Sequence, residues 1–461
     1  MAKKRDMTQG KIFSSLFLFA LPLVIGNIFQ LTYNVSDSIV LGWFSADKIN
    51  AQAAVGVANP IMNIFISLIS GLCVGAAIHT SEIYGQKDET KLKKQITTMF
   101  ISGGILVLLI TILFIALLRP IIQISNVTSE VLIKEAYQYL LVIGIGYIFT
   151  FLYNAYASVL RSIGDSMASL IFLIMSCVLN VGLNILFVVA FHLDVLGVGL
   201  STTISQVLCA IAIMIYGKVK YKEILVFKRN EYKVDFSLLK ITASYAFASC
   251  LQQIVLWVGK YLISTQINSK DVTIIDAFSS ASKIDDFVFS PAQNFGHATA
   301  IFIAQNRGAG NVKRTKQGHL AGTLMNLIYG VFISLFVLFL RQPLLNLFLS
   351  NDEAIADSKS IVVDHGISYL KIMCLLYICP CLTNSIQSYF RGLGKLNIVF
   401  LSTLVQIIAR VTSVFLMINL SSYPLNQVAW ATGIGWAFMI GFELPILIYY
   451  YKTNKGMISK A

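Results

Sequence analysis

The stretch from Ala20 to Gly42, ALPLVIGNIFQLTYNVSDSIVLG, decides how the rest of the chain is interpreted, because it places one carboxylate inside an apolar helix. Starting at Asn27, the polar residues Gln30, Asn34 and Asp37 follow at +3, +7 and +10. At ~100° per residue, all four share one face of the helix. An ionisable side chain at membrane depth costs about 3 kcal/mol on insertion scales and is typical of an ion pathway or a proton relay. The pattern therefore predicts that Asp37 carries the function.

The composition is that of a polytopic membrane protein. Of the 461 residues, 56% are hydrophobic and 12% are charged, and the mean hydropathy of +0.75 exceeds that of soluble proteins of this size. The net charge of +13 comes from basic residues in short loops beside apolar segments, where they orient the chain in a bilayer, and no nucleic acid is expected. The seven cysteines lie in apolar segments without CxxC pairs or histidine partners, so neither disulfides nor a zinc site is predicted.

Roughly twelve segments are long and apolar enough to cross a ~30 Å hydrocarbon core. They run at about 13–41, 52–80, 96–118, 134–159, 167–191, 197–217, 238–267, 273–304, 319–340, 365–389, 397–418 and 428–450. The first is read as a retained span, because it is too long for the core of a signal peptide. Lys and Arg number about 25 in the termini and the loops after even-numbered spans, against about 5 after odd-numbered spans, which predicts that both termini are cytoplasmic.

The two halves of the chain repeat each other. Eight residues of the first half recur at a constant offset of 230: Tyr139, Leu140, Tyr147, Ile148, Asn154, Ser158, Arg161 and Gly164 match Tyr369, Leu370, Tyr377, Ile378, Asn384, Ser388, Arg391 and Gly394. Chance would supply about two such identities. Earlier spans fit an offset of 223, which aligns Gln30 with Gln253 and Asp37 with Lys260.

This repeat predicts two pseudo-symmetric six-helix lobes in an all-α membrane fold. We expect an N-lobe at 1–217, a cytoplasmic linker at 218–240 and a C-lobe at 241–461. Because six spans is an even number, both copies have the same orientation, and parallel repeats of this kind build transporters whose central cavity opens to either side in turn.

Polar residues follow helical spacing on other spans of the N-terminal half. Ser176, Asn180 and Asn184 recur at i, i+4 and i+8, and Thr202 lies on the polar face of the next span. Neutral oxygen donors near one carboxylate suit Na⁺, or a proton on that carboxylate. For each of these residues, and for Tyr147 and Asn154 on the fourth span, hydrogen bonding between membrane helices is the alternative interpretation.

The C-terminal half distributes charge differently. On span eight, Lys283 and Asp286 lie at i and i+3, a spacing that permits a local ion pair, while Asp285 points nearly opposite. Lys260 and Arg410 add cations at helical depth. Two interpretations stay open for these charges: structural pairing, or the lining of a cavity for a charged substrate.

Pro22 lies 15 residues before Asp37 in the first span. Proline removes a helix hydrogen bond and allows a bend. Pro22 is therefore a candidate hinge that could move the polar helix face carrying Asp37 when the charge of Asp37 changes. Signatures of enzymes are missing: there is no GxxxxGK[ST], GxSxG or HExxH motif. Without a nucleotide site, uphill transport has to use an ion gradient.

These residues resemble the multidrug and toxic compound extrusion (MATE) family of the MOP flippase superfamily. The resemblance rests on the opening stretch followed by AAVGVANPI, on KIDDFVFSPAQNFGHATAIFIAQNRGAG, and on the paired turns VLRSIGD and YFRGLGK. It implies two six-helix lobes, an outward-opening V-shaped cavity, and export of organic cations or amphipathic drugs in exchange for H⁺ or Na⁺.

Residue by residue, the resemblance places Asp37 at the cation-coupling aspartate of the family and Pro22 where the first helix bends in some members. It also matches Asn180 and Thr202 to polar positions of that site. Many members read N-x-x-x-D where this chain reads Asn180-x-x-x-Asn184, and this departure leaves the coupling ion, H⁺ or Na⁺ on Asp37, open. Members with a Na⁺ site in the C-lobe carry an acid where this chain has Gln253 and its neighbour Gln252.

The leading hypothesis is therefore a cation-coupled exporter in a bacterial plasma membrane, with no cofactor beyond its coupling ion and no enzymatic activity. The substrate cavity is predicted to be lined by Gln30, Asn34, Tyr147, Asn154, Gln253, Lys260, Lys283, Asp286 and Arg410. A flippase for lipid-linked saccharides is the rival within the superfamily, and a channel or an intramembrane enzyme is the rival from another class. Because the implied fold needs no partner to form its cavity, we expect a monomer.

Overall fold

The structure is a computed structural model that describes residues 6–45, 48–124, 129–348, 359–454 and 456–457. Within these ranges every regular element is a helix and no strand occurs, which confirms the predicted all-α class. The α-helices are α1 (Ile12–Phe44), α2 (Lys48–Gln86), α3 (Glu89–Ala116), α4 (Leu118–Ile124), α5 (Glu130–Ser162), α6 (Ser166–Ile185), α7 (Asp194–Lys220), α8 (Lys222–Leu225), α9 (Phe236–Ile267), α10 (Val272–Gly308), α11 (Val312–Phe348), α12 (Lys359–Leu376), α13 (Ile378–Gly392), α14 (Leu396–Met417) and α15 (Pro424–Thr453).

The long helices correspond to the predicted spans. In the described ranges, ten helices are long and apolar enough to cross a membrane, and α12 with α13 forms an eleventh candidate. The remaining long helix is α10, with 37 residues. It carries four charged residues between Asp276 and Asp286, and these lower its hydropathy. The twelve predicted spans therefore match twelve long helical segments of this part of the chain.

The predicted span at 365–389 contains a bend, because α12 and α13 meet at 43°. The cause lies in the sequence: Pro380 has no N–H to donate to the carbonyl of Leu376, and its ring crowds that turn. The helix breaks at Tyr377, between these two residues. By contrast, Pro22 lies inside α1, which is helical from Ile12 to Phe44.

The chain packs into two compact units. The first contains Leu21–Cys250, and the second contains Met7–Ala20 together with the chain from Leu251 onward. This division cuts α1 just before Pro22 and cuts α9 after Cys250, whereas the predicted lobes at 1–217 and 241–461 follow whole helices. The lobe bounds stay a prediction.

Residues 218–240, the predicted linker, pack on the first unit. They contain α8 and a 3₁₀ turn at Arg229–Glu231, and Leu225 is fully buried. The N–H of Asp235 donates to Oγ1 of Thr98 at 3.0 Å. Tyr221 donates to Oδ2 of Asp165 at 2.7 Å. The segment is therefore held by specific contacts along its length.

The start of the chain is held in the second unit by Arg314. Its guanidinium donates to the carbonyls of Met7 at 3.0 Å, Gly10 at 2.8 Å and Gln9 at 2.6 Å. Asn306 adds a bond to the carbonyl of Met7 at 3.2 Å. Because a guanidinium presents several donors in a fixed plane, one side chain fixes the backbone that leads into α1.

The backbone repeats between the units as the sequence does. The helix that precedes Gly164 ends with a bond from the N–H of Asp165 to the carbonyl of Leu160 at 2.8 Å, and the one before Gly394 ends with the same bond from Lys395 to Phe390 at 2.8 Å. Both glycines have positive φ, +93° and +68°, which only glycine adopts without strain. The offset of 230 is thus visible in the local structure of each unit.

Candidate functional site

Asp37 lies at one end of a chain of hydrogen bonds in the first unit. Nδ2 of Asn184 donates to Oδ1 of Asp37 at 2.6 Å and to Oδ1 of Asn180 at 3.0 Å. Nδ2 of Asn180 in turn donates to Oγ1 of Thr202 at 3.1 Å. The structure thereby brings together all four residues that were predicted to form the cation-coupling site.

The local sequence of α6 sets up this arrangement. Asn180 and Asn184 are one turn apart, so both side chains project from the same face, and both are fully buried. A π-helical turn, Leu186–Ala190, begins two residues after Asn184. Such turns are rare and occur frequently at functional sites, and here the turn ends α6 directly beside the residue that binds Asp37.

The group can offer oxygen atoms to a small cation. Asp37 is 8% exposed, and the buried Oδ1 of Asn184 has no hydrogen-bond partner. Carboxylate, amide and hydroxyl oxygens are the ligand types that hard cations prefer, and a buried carboxylate can instead take up a proton. Among the described residues, no group of three or more His, Cys, Asp or Glu side chains is close enough to hold a metal ion. The residues that the chain of hydrogen bonds joins to Asp37, which are Asn184, Asn180 and Thr202, are all neutral.

The other predicted residues of the first unit do not join this chain of bonds. Gln30 is exposed. Tyr147 is buried, its ring is stacked on that of Phe65 at 5.9 Å, and its hydroxyl has no partner. Asn154 donates to the carbonyl of Thr150 on its own helix at 2.8 Å. The side chain of Asn34 lies outside the described residues.

Charges in the second unit pair differently from the local pairing proposed for Lys283 and Asp286. Nζ of Lys260 lies 2.8 Å from Oδ1 of Asp286, and both side chains are about half exposed. Lys283 is exposed and lies over the ring of Phe348 at 5.9 Å. Asp286 thus pairs with Lys260 on α9, and not with Lys283, which the i, i+3 spacing would have permitted. Gln253, one of the predicted cavity residues, is half-buried and is not part of this pair.

Asp285 occupies a second polar site that the sequence did not single out. It is 7% exposed, and the hydroxyls of Tyr369 and Tyr377 each donate to its carboxylate at 2.7 Å. Arg410 lies within electrostatic range of Asp285, and its buried Nε has no hydrogen-bond partner. The signal that could have found this site is the repeat, because Tyr139 and Tyr147 are the counterparts of the two tyrosines.

The repeat shows that the two units differ chemically at equivalent positions. In the first unit, Tyr139 donates to Sδ of Met62 at 3.8 Å, and Met62 is the counterpart of Asp285 at the offset of 223. Lys260 stands where the first unit has Asp37, and Arg410 stands where it has Asn180. The acidic and amide positions of the first unit are therefore basic in the second.

Comparisons with known proteins match the chain to multidrug transporters. The sequence model of the family described as MatE matches residues 22–186 and 248–416. The probable multidrug resistance protein YpnP of Bacillus subtilis (strain 168) is 26% identical over 465 residues, covering 99% of this chain and 98% of that protein. The multidrug export protein MepA of Staphylococcus aureus (strain NCTC 8325 / PS 47) is 29% identical over 209 residues, covering 45% of this chain and 46% of MepA.

Solved structures share the fold at low sequence identity. An outward-facing multidrug resistance MATE family transporter of the MOP superfamily superposes with a TM-score of 0.90 at 18% identity, covering 99% of each chain. A MOP superfamily transporter from Pyrococcus furiosus Vc1 (DSM3638), described as having a binding pocket of reverse polarity, gives a TM-score of 0.88 at 19% identity and covers 98% of this chain and 99% of its own.

Proposed function

The chain belongs to the MatE family of multidrug and toxic compound extrusion transporters, and on that premise we propose that it is a secondary active multidrug exporter. It exchanges organic cations or amphipathic drugs for H⁺ or Na⁺ by alternating access. The observation that carries this proposal is the buried carboxylate of Asp37, bound by Asn184 at 2.6 Å. The names of the curated relatives support the direction of transport, since they are called multidrug resistance and multidrug export proteins.

Asp37 is suited to coupling because its charge state changes the energy of its surroundings. An isolated ionised carboxylate in an apolar interior is strongly disfavoured, and it is relieved by a proton or by a bound cation. A ligand that binds one conformation better than the other shifts the equilibrium between them. Ion binding at Asp37 can therefore favour one orientation of the transporter, and substrate binding the other.

The coupling ion is the one that the four hydrogen-bonded residues Asp37, Asn184, Asn180 and Thr202 bind. Asn184 replaces the aspartate that many relatives carry at this position, so the site has one acidic residue. A proton needs one carboxylate, whereas Na⁺ would also use neutral oxygens such as Oδ1 of Asn184 and Oγ1 of Thr202. Both ions are retained in the proposal, and the imposed gradient in the experiment below distinguishes them.

The test is efflux of ethidium from proteoliposomes with an imposed pH or Na⁺ gradient. Wild type is compared with Asp37→Asn, and Asp271→Asn, which changes an exposed aspartate at the start of α10, is the matched control. We expect gradient-driven efflux in wild type and control and its loss in Asp37→Asn, with the effective gradient naming the ion. Equal, gradient-independent movement in all three would contradict coupling at Asp37.

A flippase for lipid-linked saccharides is the second candidate. The observation that favours it is the basic character of the second unit, where Lys260 and Arg410 stand at positions equivalent to Asp37 and Asn180. Cations there would suit a phosphate-bearing lipid. Movement of a fluorescent phosphate-linked polyprenyl lipid across the bilayer, independent of any gradient and lost in Lys260→Gln with Arg410→Gln, would support the flippase over the exporter.

The proposed setting is a bacterial plasma membrane with both termini on the cytoplasmic side. The excess of Lys and Arg after even-numbered spans supports this orientation. The proposal also includes a monomeric transporter, with aromatic and methionine side chains providing adaptable contacts for amphipathic substrates. Reporter tags on the two termini that mapped to opposite faces of the membrane would contradict the twelve-span topology.

A further inference from the structure

A buried polar cluster lies in the second unit, apart from the charges described above. We call it the Glu443 cluster, and it joins four helices, α9, α13, α14 and α15. Its members are Gln252, Gln387, Arg391, Ser402, Thr403 and Glu443. All six side chains are at most 7% exposed, and Glu443 is fully buried.

Glu443 is the member whose hydrogen bonding is unsatisfied. Both of its carboxylate oxygens are buried without a hydrogen-bond partner, and so is Nη1 of Arg391. The side chains of Ser402 and Gln387 are neighbours of the Glu443 carboxyl group. Neither of them has hydrogen-bond geometry to Oε1 or Oε2 of Glu443. A buried ionised carboxylate without a donor is costly, whereas a protonated carboxyl group carries its own donor.

The donors around Glu443 are already committed to other acceptors. The hydroxyls of Ser402 and Thr403 donate to the carbonyl of Val399, both at 2.9 Å. Nε2 of Gln387 donates to those same hydroxyl oxygens, both at 3.2 Å. No hydrogen of these three side chains is therefore left for a carboxylate that only accepts, whereas Oγ of Ser402, which accepts from Gln387 alone, keeps a lone pair for a carboxyl group that donates.

Arg391 is the cation within electrostatic range of Glu443. Its Nη2 donates to Oε1 of Gln252 at 3.0 Å and to Oε1 of Gln387 at 3.3 Å. Two neutral amides thus bind the guanidinium, and no direct hydrogen bond joins it to Glu443. The hydrogen bonds of Nη2 therefore go to neutral amides and not to the carboxyl group.

The helices packed against α15 carry other charged or titratable groups. These are Arg391, Tyr389, Cys379 and Cys381 on α13, Lys395 before α14 and Arg410 on it, Lys359, Asp364, His365, Tyr369, Lys371 and Cys374 on α12, Asp276, Lys283, Asp285, Asp286, His297 and Arg307 on α10, and Lys316 and His319 on α11, both of which bond Tyr451 of α15. Of these, Arg410 lies beside Gly435, two turns before Glu443 on α15. Among the described residues, Arg391 is the one whose charge acts on Glu443.

The first unit provides an internal control for this cluster. It has the same arginine, Arg161, at the counterpart of Arg391, and the helices α6 and α7 begin 230 residues before α14 and α15. The counterparts of the other five members are all apolar: Phe29 for Gln252, Ala157 for Gln387, Phe172 for Ser402, Leu173 for Thr403 and Ile213 for Glu443.

Ile213 is as completely buried as Glu443, and Arg161 is accommodated with a bond to Oγ of Ser158 at 2.9 Å. The fold therefore packs this position well with a hydrocarbon and does not need a carboxylate to hold the arginine. Since the cluster is not required by the architecture, its polar groups need another explanation.

We propose that Glu443 is a proton-binding site of the second unit. Its carboxyl group holds a proton when packed among Gln387, Ser402 and Thr403, and it releases that proton when the helices rearrange and Arg391 comes into direct contact. A proton is favoured over Na⁺ as the ligand, because the guanidinium repels a second cation. A role for this proton in transport, in addition to a proton on Asp37, rests on the proposed function. The protonation of Glu443 itself does not.

The test uses purified full-length protein in liposomes and needs no transported substrate. Infrared difference spectra of wild type and Glu443→Gln are compared for the C=O stretching band of a protonated carboxyl group, with Asp286→Asn as the matched control. The expected result is that the contribution of Glu443 to this band disappears in Glu443→Gln, so that the band is weaker than in wild type, and that the control keeps the wild-type intensity. The thermal midpoint of Glu443→Gln should stay within about 2 °C of wild type, because glutamine matches the size and neutrality of the protonated side chain.

A C=O band as intense in Glu443→Gln as in wild type would overturn the proposal. So would a midpoint that falls by several degrees and recovers when Arg391→Gln is added, because that result identifies an ionised partner of Arg391. Failure of Glu443→Gln to fold would overturn it for the same reason.

The transport role is measured separately, as protons moved per ethidium in the efflux assay. We expect Glu443→Gln to move fewer protons per ethidium than wild type while gradient-driven efflux persists. An unchanged ratio would remove the role of Glu443 in coupling and leave the exporter intact. Absence of gradient-driven efflux in wild type would instead contradict the proposed function itself.

Discussion

Nδ2 of Asn184 lies 2.6 Å from Oδ1 of Asp37, so an amide on α6 holds the one acidic group of the proposed coupling site on α1. The same amide nitrogen also binds Asn180 at 3.0 Å, which uses both of its hydrogens. Asn184 therefore fixes the position of the carboxylate relative to α6, and a change in what Asp37 binds is transmitted to that helix through this bond.

Replacing Asn184 with leucine should impair coupling. The variant Asn184→Leu keeps the volume but leaves the buried carboxylate without its donor, a loss of about 1–3 kcal/mol. We expect gradient-driven ethidium efflux to fall about 5- to 150-fold at equal expression, since 1.4 kcal/mol corresponds to a factor of ten. Asn384→Leu is the control, because that amide bonds a carbonyl of its own helix at 2.8 Å. An equal loss in both variants would argue against a special role for Asn184.

Asp285 should depend on its two tyrosine donors for stability. Tyr369→Phe and Tyr377→Phe each remove one bond of 2.7 Å from a buried carboxylate, and each should cost about 1–3 kcal/mol. Tyr147→Phe is the matched control, because the hydroxyl of Tyr147 has no partner and its removal should cost little. Thermal midpoints of the purified proteins provide the measurement, and a control as unstable as the other two would refute this account.

Arg314→Lys should loosen the segment at 7–11. Lysine cannot reproduce the fork that binds the carbonyls of Met7, Gln9 and Gly10. Hydrogen exchange of this segment should accelerate several-fold, whereas Lys313→Arg, a change at an exposed neighbour, should leave it as in wild type. Unchanged exchange in Arg314→Lys would show that the guanidinium bonds do not hold the segment.

Lys87→Gly should stabilise the first unit. Lys87 has φ of +60°, while its counterpart Gly310 has φ of +70°, and this left-handed conformation costs a non-glycine residue about 1 kcal/mol. The converse change Gly310→Ala should destabilise by a similar amount through the backbone, because a Cβ there meets no atom within 4 Å. Thermal midpoints that moved in the same direction in both variants would contradict the assignment of strain.

The contribution of Asp165 to stability should depend on pH. Burial by itself raises the pKa of Asp165, but hydrogen bonds from Lys220, Tyr221, the backbone of Ala168 and Tyr216 outweigh it and hold the pKa below its ordinary value. A lowered folded pKa stabilises the protein above the unfolded pKa of about 3.9, and this stability disappears as the pH falls through the lowered value.

Asp165→Asn should therefore lower the thermal midpoint at neutral pH, and the difference from wild type should shrink in acid. Midpoints recorded from neutral to acidic pH give the comparison. Asparagine can still accept the bond from the N–H of Ala168, so a difference that stayed constant across that range would contradict a contribution from the charge of Asp165.

Local patterns account for much of what was predicted correctly. Helical spacing placed Asn180 and Asn184 on one face, and the constant offset of 230 paired Arg161 with Arg391 and Gly164 with Gly394. The i, i+3 spacing of Lys283 and Asp286 only makes their contact feasible, whereas Lys260, from another helix, reaches the carboxylate at 2.8 Å. Asp285 was underrated because its donors come from residues 84 and 92 positions away.

The sequence by itself determined the all-helical membrane class, the position of the long helices and the repeat, and it singled out Asp37 as the candidate coupling residue, because hydropathy, helical periodicity and internal identity are properties of neighbouring or regularly spaced residues. Only the tertiary structure decided which polar groups satisfy one another. It showed that Asn184 binds Asp37, that Tyr369 and Tyr377 bind Asp285, and that Glu443 is left without a donor. Hydrogen bonds are short and directional, so they depend on how distant helices pack, and that packing is a property of the whole chain.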